Sequence, residues 1–217
     1  MRDFKHLDFD FTKAANGVLE LKTLLATNKP LGERKHLLPF FRKRPHLCAL
    51  IGQLNPDARQ IDLIAYELSF FRDFSSDIAL GDESQKAFTL IELEDASDKS
   101  VFVKGTKHHP DWSPRFEHGH SQIIDWLWRL ADWRTTSDFD ATFGKGAEAF
   151  VTLLIAGRDC HLDTSMRERL AWRRNNVVIH SKKILVYTYD GLLNALESRV
   201  GSIKNLQRVP KKAKAKP

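Results

Sequence analysis

With 217 residues, 42% hydrophobic and 29% charged, the chain has the make-up of an ordinary soluble globular protein with a full core. No apolar run is long enough for a membrane span, and the charged start MRDFKHLDFD lacks the apolar segment of a secretory signal, so a cytoplasmic protein is expected. The net charge of +6 sits mostly at one end: residues 208–217 hold five basic and no acidic side chains, and without them 29 basic residues face 28 acidic ones. That tail reads either as a solubilising extension or as an arm for nucleic acid. Cys48 and Cys160 lie far apart in apolar or mixed sequence and predict a reduced, buried pair rather than a disulfide.

Taken in order, the chain opens with helices. Leu19, Leu21, Leu24 and Leu25 predict one over residues 12–27, stopped by Asn28-Lys29-Pro30. A second runs over 32–42, and a third begins after Pro45 and ends near Gly52, the three together forming a small cap on the main domain. Arg42-Lys43-Arg44 reads as a solvated helix end or a phosphate contact. From Pro56 the pattern becomes that of strands: residues 61–71, a hairpin over 77–94, and a short strand over 101–103 before a loop over 104–114.

A long helix is expected over 115–133. Ile123, Leu127, Leu130 and Ala131 form its apolar stripe, thickened by Ile124, Trp126 and Trp128. Its other face carries His118, Gln122, Asp125 and Arg129. Then come a loop over 135–146, a buried strand over 148–156, and a charged helix over 162–175 with Thr164 or Ser165 as its cap. Strands over 177–179 and 184–187 precede a closing helix over 189–200, with Leu192, Leu193 and Leu196 inward. Alternating elements of this kind predict an α/β fold with a mixed sheet, organised as a helical segment (1–55), a main domain (56–203) and a basic tail (204–217).

The stretch with chemistry is the hairpin, DIALGDESQKAFTLIELE. In its return strand Phe88 and Leu90 share a parity with Glu92 and Glu94, while Thr89, Ile91 and Leu93 face the other way. Apolar residues on both faces mark an interior strand. Two carboxylates therefore emerge on one face at its end, with Asp77 able to approach from the neighbouring strand. Grouped carboxylates repel and lose hydration unless a cation or proton compensates them, so the group reads as a hard-metal site or a shared proton, or else as charges solvated where the strand leaves the sheet.

Asp77, the strand Leu90-Ile91-Glu92-Leu93-Glu94 and Gln122 on a later helix resemble the PD-(D/E)xK nuclease superfamily. Together with Gln122-Ile123-Ile124-Asp125-Trp126, Ile155-Ala156-Gly157-Arg158 and Val186-Tyr187-Thr188-Tyr189-Asp190-Gly191-Leu192-Leu193, they are similar to the C-terminal domain of Shedu anti-phage defence proteins over residues 57 to 200. The helices before residue 55 carry no part of that resemblance. It implies a restriction-endonuclease-like mixed sheet flanked by helices, and a Mg²⁺- or Mn²⁺-dependent endonuclease acting on DNA within a homo-oligomer. Asp77 and Glu92 take the metal-ligand roles by position, with Glu94 and Gln122 completing the catalytic set. Lys104, Lys107 and Arg158 are candidates for contacts to nucleic acid.

Glu94 stands where the superfamily's lysine is usual. That departure keeps open a nuclease fold without catalysis, acting as a nucleic-acid-binding or regulatory module. A third reading is a different metal enzyme using His108, His109, His118 and His120, although residues two apart on a helix point to different sides.

Overall fold

The computed structural model describes residues 1–208 except 28, 71–73, 106–108, 180 and 181. Its elements are, in chain order, β1 (Lys5–His6), α1 (Phe11–Ala26), a π-helical turn (Glu33–Leu37), α2 (Leu38–Arg42), α3 (Pro45–Gly52), β2 (Leu63–Phe70), β3 (Phe74–Asp82) and β4 (Ala87–Leu93). Next come β5 (Phe102–Val103), β6 (Asp111–Trp112), α4 (Pro114–Trp133), α5 (Ser137–Phe143), β7 (Ala149–Ile155), a 3₁₀ turn (Asp159–His161), α6 (Thr164–Asn176), β8 (Val178–Ile179), β9 (Lys182–Tyr187) and α7 (Tyr189–Arg208). Seven strands form one mixed sheet in the order β1-β2-β3-β4-β7-β9-β8. The β2-β3-β4 meander is antiparallel, whereas β4, β7 and β9 run parallel. The expected α/β class with a mixed sheet is the one that forms.

β4 lies at the centre and every one of its residues is buried. Its two parities feed two separate apolar clusters. Ile91 and Leu93 join Leu21, Phe41, Leu50 and Leu192, so α1, α2, α3 and α7 cover that face and the N-terminal helices do form a cap. Phe88 and Leu90 join Phe116, Trp126, Phe139 and Phe143, so α4 and α5 cover the other. Each cluster removes apolar surface from water at roughly 25 cal/mol per Å², which is why a strand with no polar face sits here, covered on both sides.

Several local expectations are corrected. The stretch 135–146 is not all loop: Thr136 accepts a hydrogen bond from the Phe139 amide (3.2 Å) and starts α5, whose Phe139 and Phe143, four apart, both enter the core. The 104–114 loop contains β6, paired to β5. In α4, Trp128 and Ala131 are exposed, and Phe116 and Trp133 are buried in their place. Asp163, not Thr164 or Ser165, caps α6 by accepting from the Met166 amide at 2.8 Å. Helix α7 runs on to Arg208, past residue 200; residues 209–217 of the tail lie outside the described residues. Cys48 is buried, which pushes its thiol up to about 12, but Cys160 is exposed. Among the described residues no helix is long and apolar enough to cross a membrane.

Phe143 packs its ring 4.9 Å from Phe88 and 5.0 Å from Phe150, centroid to centroid. Phe143→Ala should therefore cost about 3–5 kcal/mol of stability, the usual range for a buried aromatic truncated in a core. Urea denaturation measures this; a loss below about 1 kcal/mol would mean that α5 contributes little to the core.

Candidate active site

Hairpin register brings Asp77 and Glu92 together. Ile78 stands opposite Ile91 in the antiparallel ladder, so the next position out sets Asp77 across from Glu92 on the same face. There the paired ladder ends, and the Leu93 amide donates to the Asp77 carboxylate instead, at 2.8 Å. Glu94 is one parity step further along β4, and its amide donates to the Ile155 carbonyl at 2.9 Å, prolonging the β4–β7 pairing. The three carboxylates line one cavity of about 660 Å³ with Gln122, His118 and Arg115 from α4. Residues 115, 118 and 122 fall on one helix face by their spacing.

Burial dominates the electrostatics. Glu92 is 7% exposed and Glu94 2%. Loss of hydration pushes Glu92 up to about 10, and repulsion from Asp77, Glu94 and Glu33 adds to it. Burial likewise raises Glu94 to about 7, opposed by its hydrogen bond from Arg115. Asp77 rises to about 6 through burial, against the Leu93 amide bond. Asp82, at the other end of β3, shows the contrast. Burial opposes its ionisation too, yet the amides of Arg59, Gln60 and Gln85 and the Ser84 hydroxyl donate to it and hold its pKa below the usual value. Among the described residues no donor reaches the Glu92 carboxyl. An all-oxygen pair short of compensating charge is the donor type that a hard divalent cation takes, and Asp77 and Glu92 are the residues that could hold one.

Glu94 is turned to a different partner. The Arg115 guanidinium donates to Glu94 Oε2 at 3.2 Å and also meets Asp95 (3.3 Å) and Glu33 (3.8 Å). Helix α4 comes this close because residue 119 is glycine: a Cβ there would stand 3.1 Å from Glu94 Oε1 and 2.9 Å from Leu154 Cδ1. Glu33 and Arg34 reach the cavity from the far N-terminal side. Leu31 bridges Ala96 in antiparallel fashion, and Asp95 accepts from the Glu33 amide at 2.8 Å. The π-helical turn that starts there delivers both side chains to the rim, in keeping with the use of π turns at functional sites.

The strand end is also braced from behind. Gly157, with φ +70°, donates to the Asp95 carbonyl (2.9 Å) and accepts from the Tyr189 amide (3.0 Å). The buried Tyr189 hydroxyl donates to the Glu94 carbonyl at 2.8 Å. Arg158 donates twice to Asp190, at 2.8 and 3.0 Å, and is only 6% exposed.

The structure thus brings Asp77, Glu92, Glu94 and Gln122 to one cavity, but not all of the expected residues. Arg158 is spent in its ion pair and offers no surface to a phosphate. Lys104 is exposed, one residue past the cavity-lining Val103 but not lining it. Lys107 and His108 lie outside the described residues. His118 lines the cavity, while His120 is buried against Phe116 on another side of α4, where burial lowers it to about 4. Among the described residues no three His, Cys, Asp or Glu side chains are placed to hold one ion, so three-carboxylate convergence on a single ion is not seen. Sequence reasoning missed Arg115, Glu33, Arg34 and Lys99, all at the cavity. Only Arg115 left a trace: it comes directly after Ser113-Pro114, a cap and first-turn pair that fixes where the helix starts.

The model of the family described as Shedu protein SduA, C-terminal, matches residues 32–193, from the turn bearing Glu33 into α7. The chain belongs to this family. Membership in the Shedu family points to a role in anti-phage defence, and the matched span contains every side chain named at the cavity. No curated protein matches the chain.

In the metal-free Shedu-family protein the folded state keeps protons on Glu92, Glu94 and Asp77 that the unfolded chain releases near ordinary carboxyl values. The native state then binds more protons than the unfolded one, so this contribution to stability falls as pH rises through about 6 to 7 and on towards 10. Thermal melts in EDTA should show that fall between about pH 5 and 8, and Glu92→Gln should raise the melting temperature more at the higher pH. Adding Mg²⁺ should stabilise wild type at the higher pH but not the variant. A gap between wild type and variant that does not change with pH would disprove the electrostatic reading.

Proposed function

We propose that the protein is a divalent-metal-dependent DNA endonuclease of a Shedu anti-phage system, built on a PD-(D/E)xK core and hydrolysing phosphodiester bonds. The observation that carries this reading is the register that sets Asp77 across from Glu92, with Glu94 and Gln122 on the same cavity. DNA as substrate, a homo-oligomeric state and a cytoplasmic location are further parts of the same proposal.

Asp77 and Glu92 hold the cation, which, when bound, lowers the pKa of a water and offsets charge on the scissile phosphate. Glu94, poised at about 7, takes the proton from the attacking water, because a base titrating near the working pH combines availability with driving force. Arg115 meets the charge that builds on the phosphate. It stands beside Glu94 and provides the positive charge that the missing lysine would have brought. Gln122 orients the phosphate or the water by hydrogen bonding through its side-chain amide. The buried strand end below and α4 above keep bulk water from competing.

The Glu94–Arg115 pair also favours a second reading, since a carboxylate already engaged by a guanidinium makes a quiet site: a nucleic-acid-binding module without catalysis. Incubation of plasmid and linear DNA with Mg²⁺ or Mn²⁺ separates the two. Wild type should cleave, Glu92→Ala should not, and Glu94→Gln should fall by roughly 10²–10⁴-fold, the common worth of a positioned base. Arg115→Ala should lose on the order of 10²-fold or more through lost stabilisation of charge. Cleavage that survives Glu92→Ala belongs to another site and ends this mechanism. Wild type that binds DNA yet cleaves with neither ion gives the module reading its place.

A further inference from the structure

A second cavity, of about 450 Å³, lies next to the first and is lined by Trp112, Arg169, Trp172, Arg173 and Val177. The ribbon β5–β6 contributes to both: Val103 and the adjoining Ser113 line the carboxylate cavity, and Trp112 lines this one. The floor is an aromatic stack, with Phe102 and Trp112 4.4 Å apart at 29° and Trp112 and Phe116 5.0 Å apart at 19°. Arg169 and Arg173 lie on it, their guanidinium carbons 5.3 and 4.8 Å from the Trp112 ring centre. Both are pinned, Arg173 by two bonds to Glu117 and Arg169 by one to the Pro110 carbonyl. Floor and charges are therefore set before anything binds.

The rim differs. Trp172 is 65% exposed and lies one turn from Arg169 on the same face of α6. Helix α6 carries four arginines against one glutamate, a net of +3 on a single element of a body whose own net is +1. Charge selects a polyanion, and an open indole beside it selects one with aromatic faces to stack. Bases inside a duplex are already stacked, so a base free to lie on Trp172 is unpaired. An acidic peptide would satisfy the arginines and leave the indole in water.

We infer that this groove binds an unpaired stretch of nucleic-acid strand, with a base stacked on Trp172 and a backbone phosphate on Arg169, three residues earlier on the same helix face. The inference rests on the nuclease reading for the source of the strand, which reaches the groove by crossing the β5–β6 ribbon from the carboxylate cavity.

The test uses the full chain in EDTA, where no chemistry occurs, with fluorescein-labelled oligo(dT) of about 20 nucleotides, a duplex of the same length, and polyglutamate as competitor. Trp172→Ala should weaken oligo(dT) binding roughly 5- to 100-fold, Trp172→Phe should recover most of it, and duplex binding should stay unchanged. Arg169→Gln, with its fold checked by far-UV circular dichroism, should reduce the salt slope of log K by about one. Glu92→Ala should remove cleavage while leaving oligo(dT) binding intact, so failure of the groove and failure of the catalytic reading give different results. Far-UV circular dichroism checks that the exposed substitutions leave the fold in place. Unchanged oligo(dT) affinity in Trp172→Ala, equal loss on the duplex, or displacement by polyglutamate as effective as by unlabelled oligo(dT) would each overturn the inference. So would a dimer in sedimentation that Trp172→Ala dissolves, since the groove would then join two copies of the chain.

Discussion

Burying acids at the end of a strand covered on both faces is costly, and most of the structure near the site answers to that cost. A buried carboxyl must be hydrogen-bonded, paired or protonated, because the bare charge loses far more hydration than the interior returns. Each acid of the hairpin meets the requirement differently. Asp82 collects backbone and hydroxyl donors and stays ionised. Asp77 receives one amide, Glu94 receives a guanidinium, and Glu92 receives neither. Burial raises all three, to about 6, about 7 and about 10, and raises Glu92 most, where no donor among the described residues opposes it and Asp77, Glu94 and Glu33 repel its charge. Neighbouring acids with their pKa values pushed apart are the usual mark of divided roles in acid–base and metal chemistry.

The replaced lysine fits into this account. On the proposed nuclease reading, Glu94 stands where that superfamily has a lysine, and Arg115 of α4 brings a positive charge beside it. Such an exchange needs the helix close to the strand, and Gly119 permits that closeness. An arginine held by three carboxylates loses less freedom on meeting a phosphate than a lysine on a flexible stem, and its planar fork suits a phosphate better. The arrangement works only while Arg115 is held in place, and its fixed position depends on how α4 begins.

How much was legible in the sequence depends on how local each feature is. The alternation of β4 was enough to set Glu92 and Glu94 on one face, because period two is a property of the strand alone. Asp77 joined them through a hairpin only a few residues long, and the helix carrying Gln122 was visible from its own periodicity. Glu33 and Arg34 were not, since they depend on Leu31 bridging Ala96, a contact between segments far apart in the chain that no window contains. Arg158 was misplaced for a related reason: an arginine next to glycine looks the same whether it faces solvent or is itself buried against a partly exposed Asp190. The short α5 hid behind a polar first turn, and only the tertiary burial of Phe139 and Phe143 makes sense of it. The motifs Ile155-Ala156-Gly157-Arg158 and Tyr187-Thr188-Tyr189-Asp190 carry the family likeness, yet their residues act behind the site, bracing the carbonyls of Glu94 and Asp95.

The two cavities are joined by one small residue. Ser113 accepts from the Phe116 amide at 2.9 Å and donates to the Ser100 carbonyl at 2.7 Å, so it caps α4 and ties that helix to the segment before β5 in the same stroke. Its own amide donates to the Val101 carbonyl at 2.9 Å. Two residues on from Ser113 is Arg115, facing the carboxylates; one residue back is Trp112, on the floor of the groove. A backbone with three fixed bonds at residue 113 leaves little room for either neighbour to shift alone. The guanidinium proposed to meet a phosphate and the Trp112 ring on the floor of the proposed strand groove are thus held at a set spacing by the start of one helix. Since misplacement of a reacting group by about 1 Å can cost on the order of 10²-fold in rate, this rigidity belongs to the chemistry as much as to the fold.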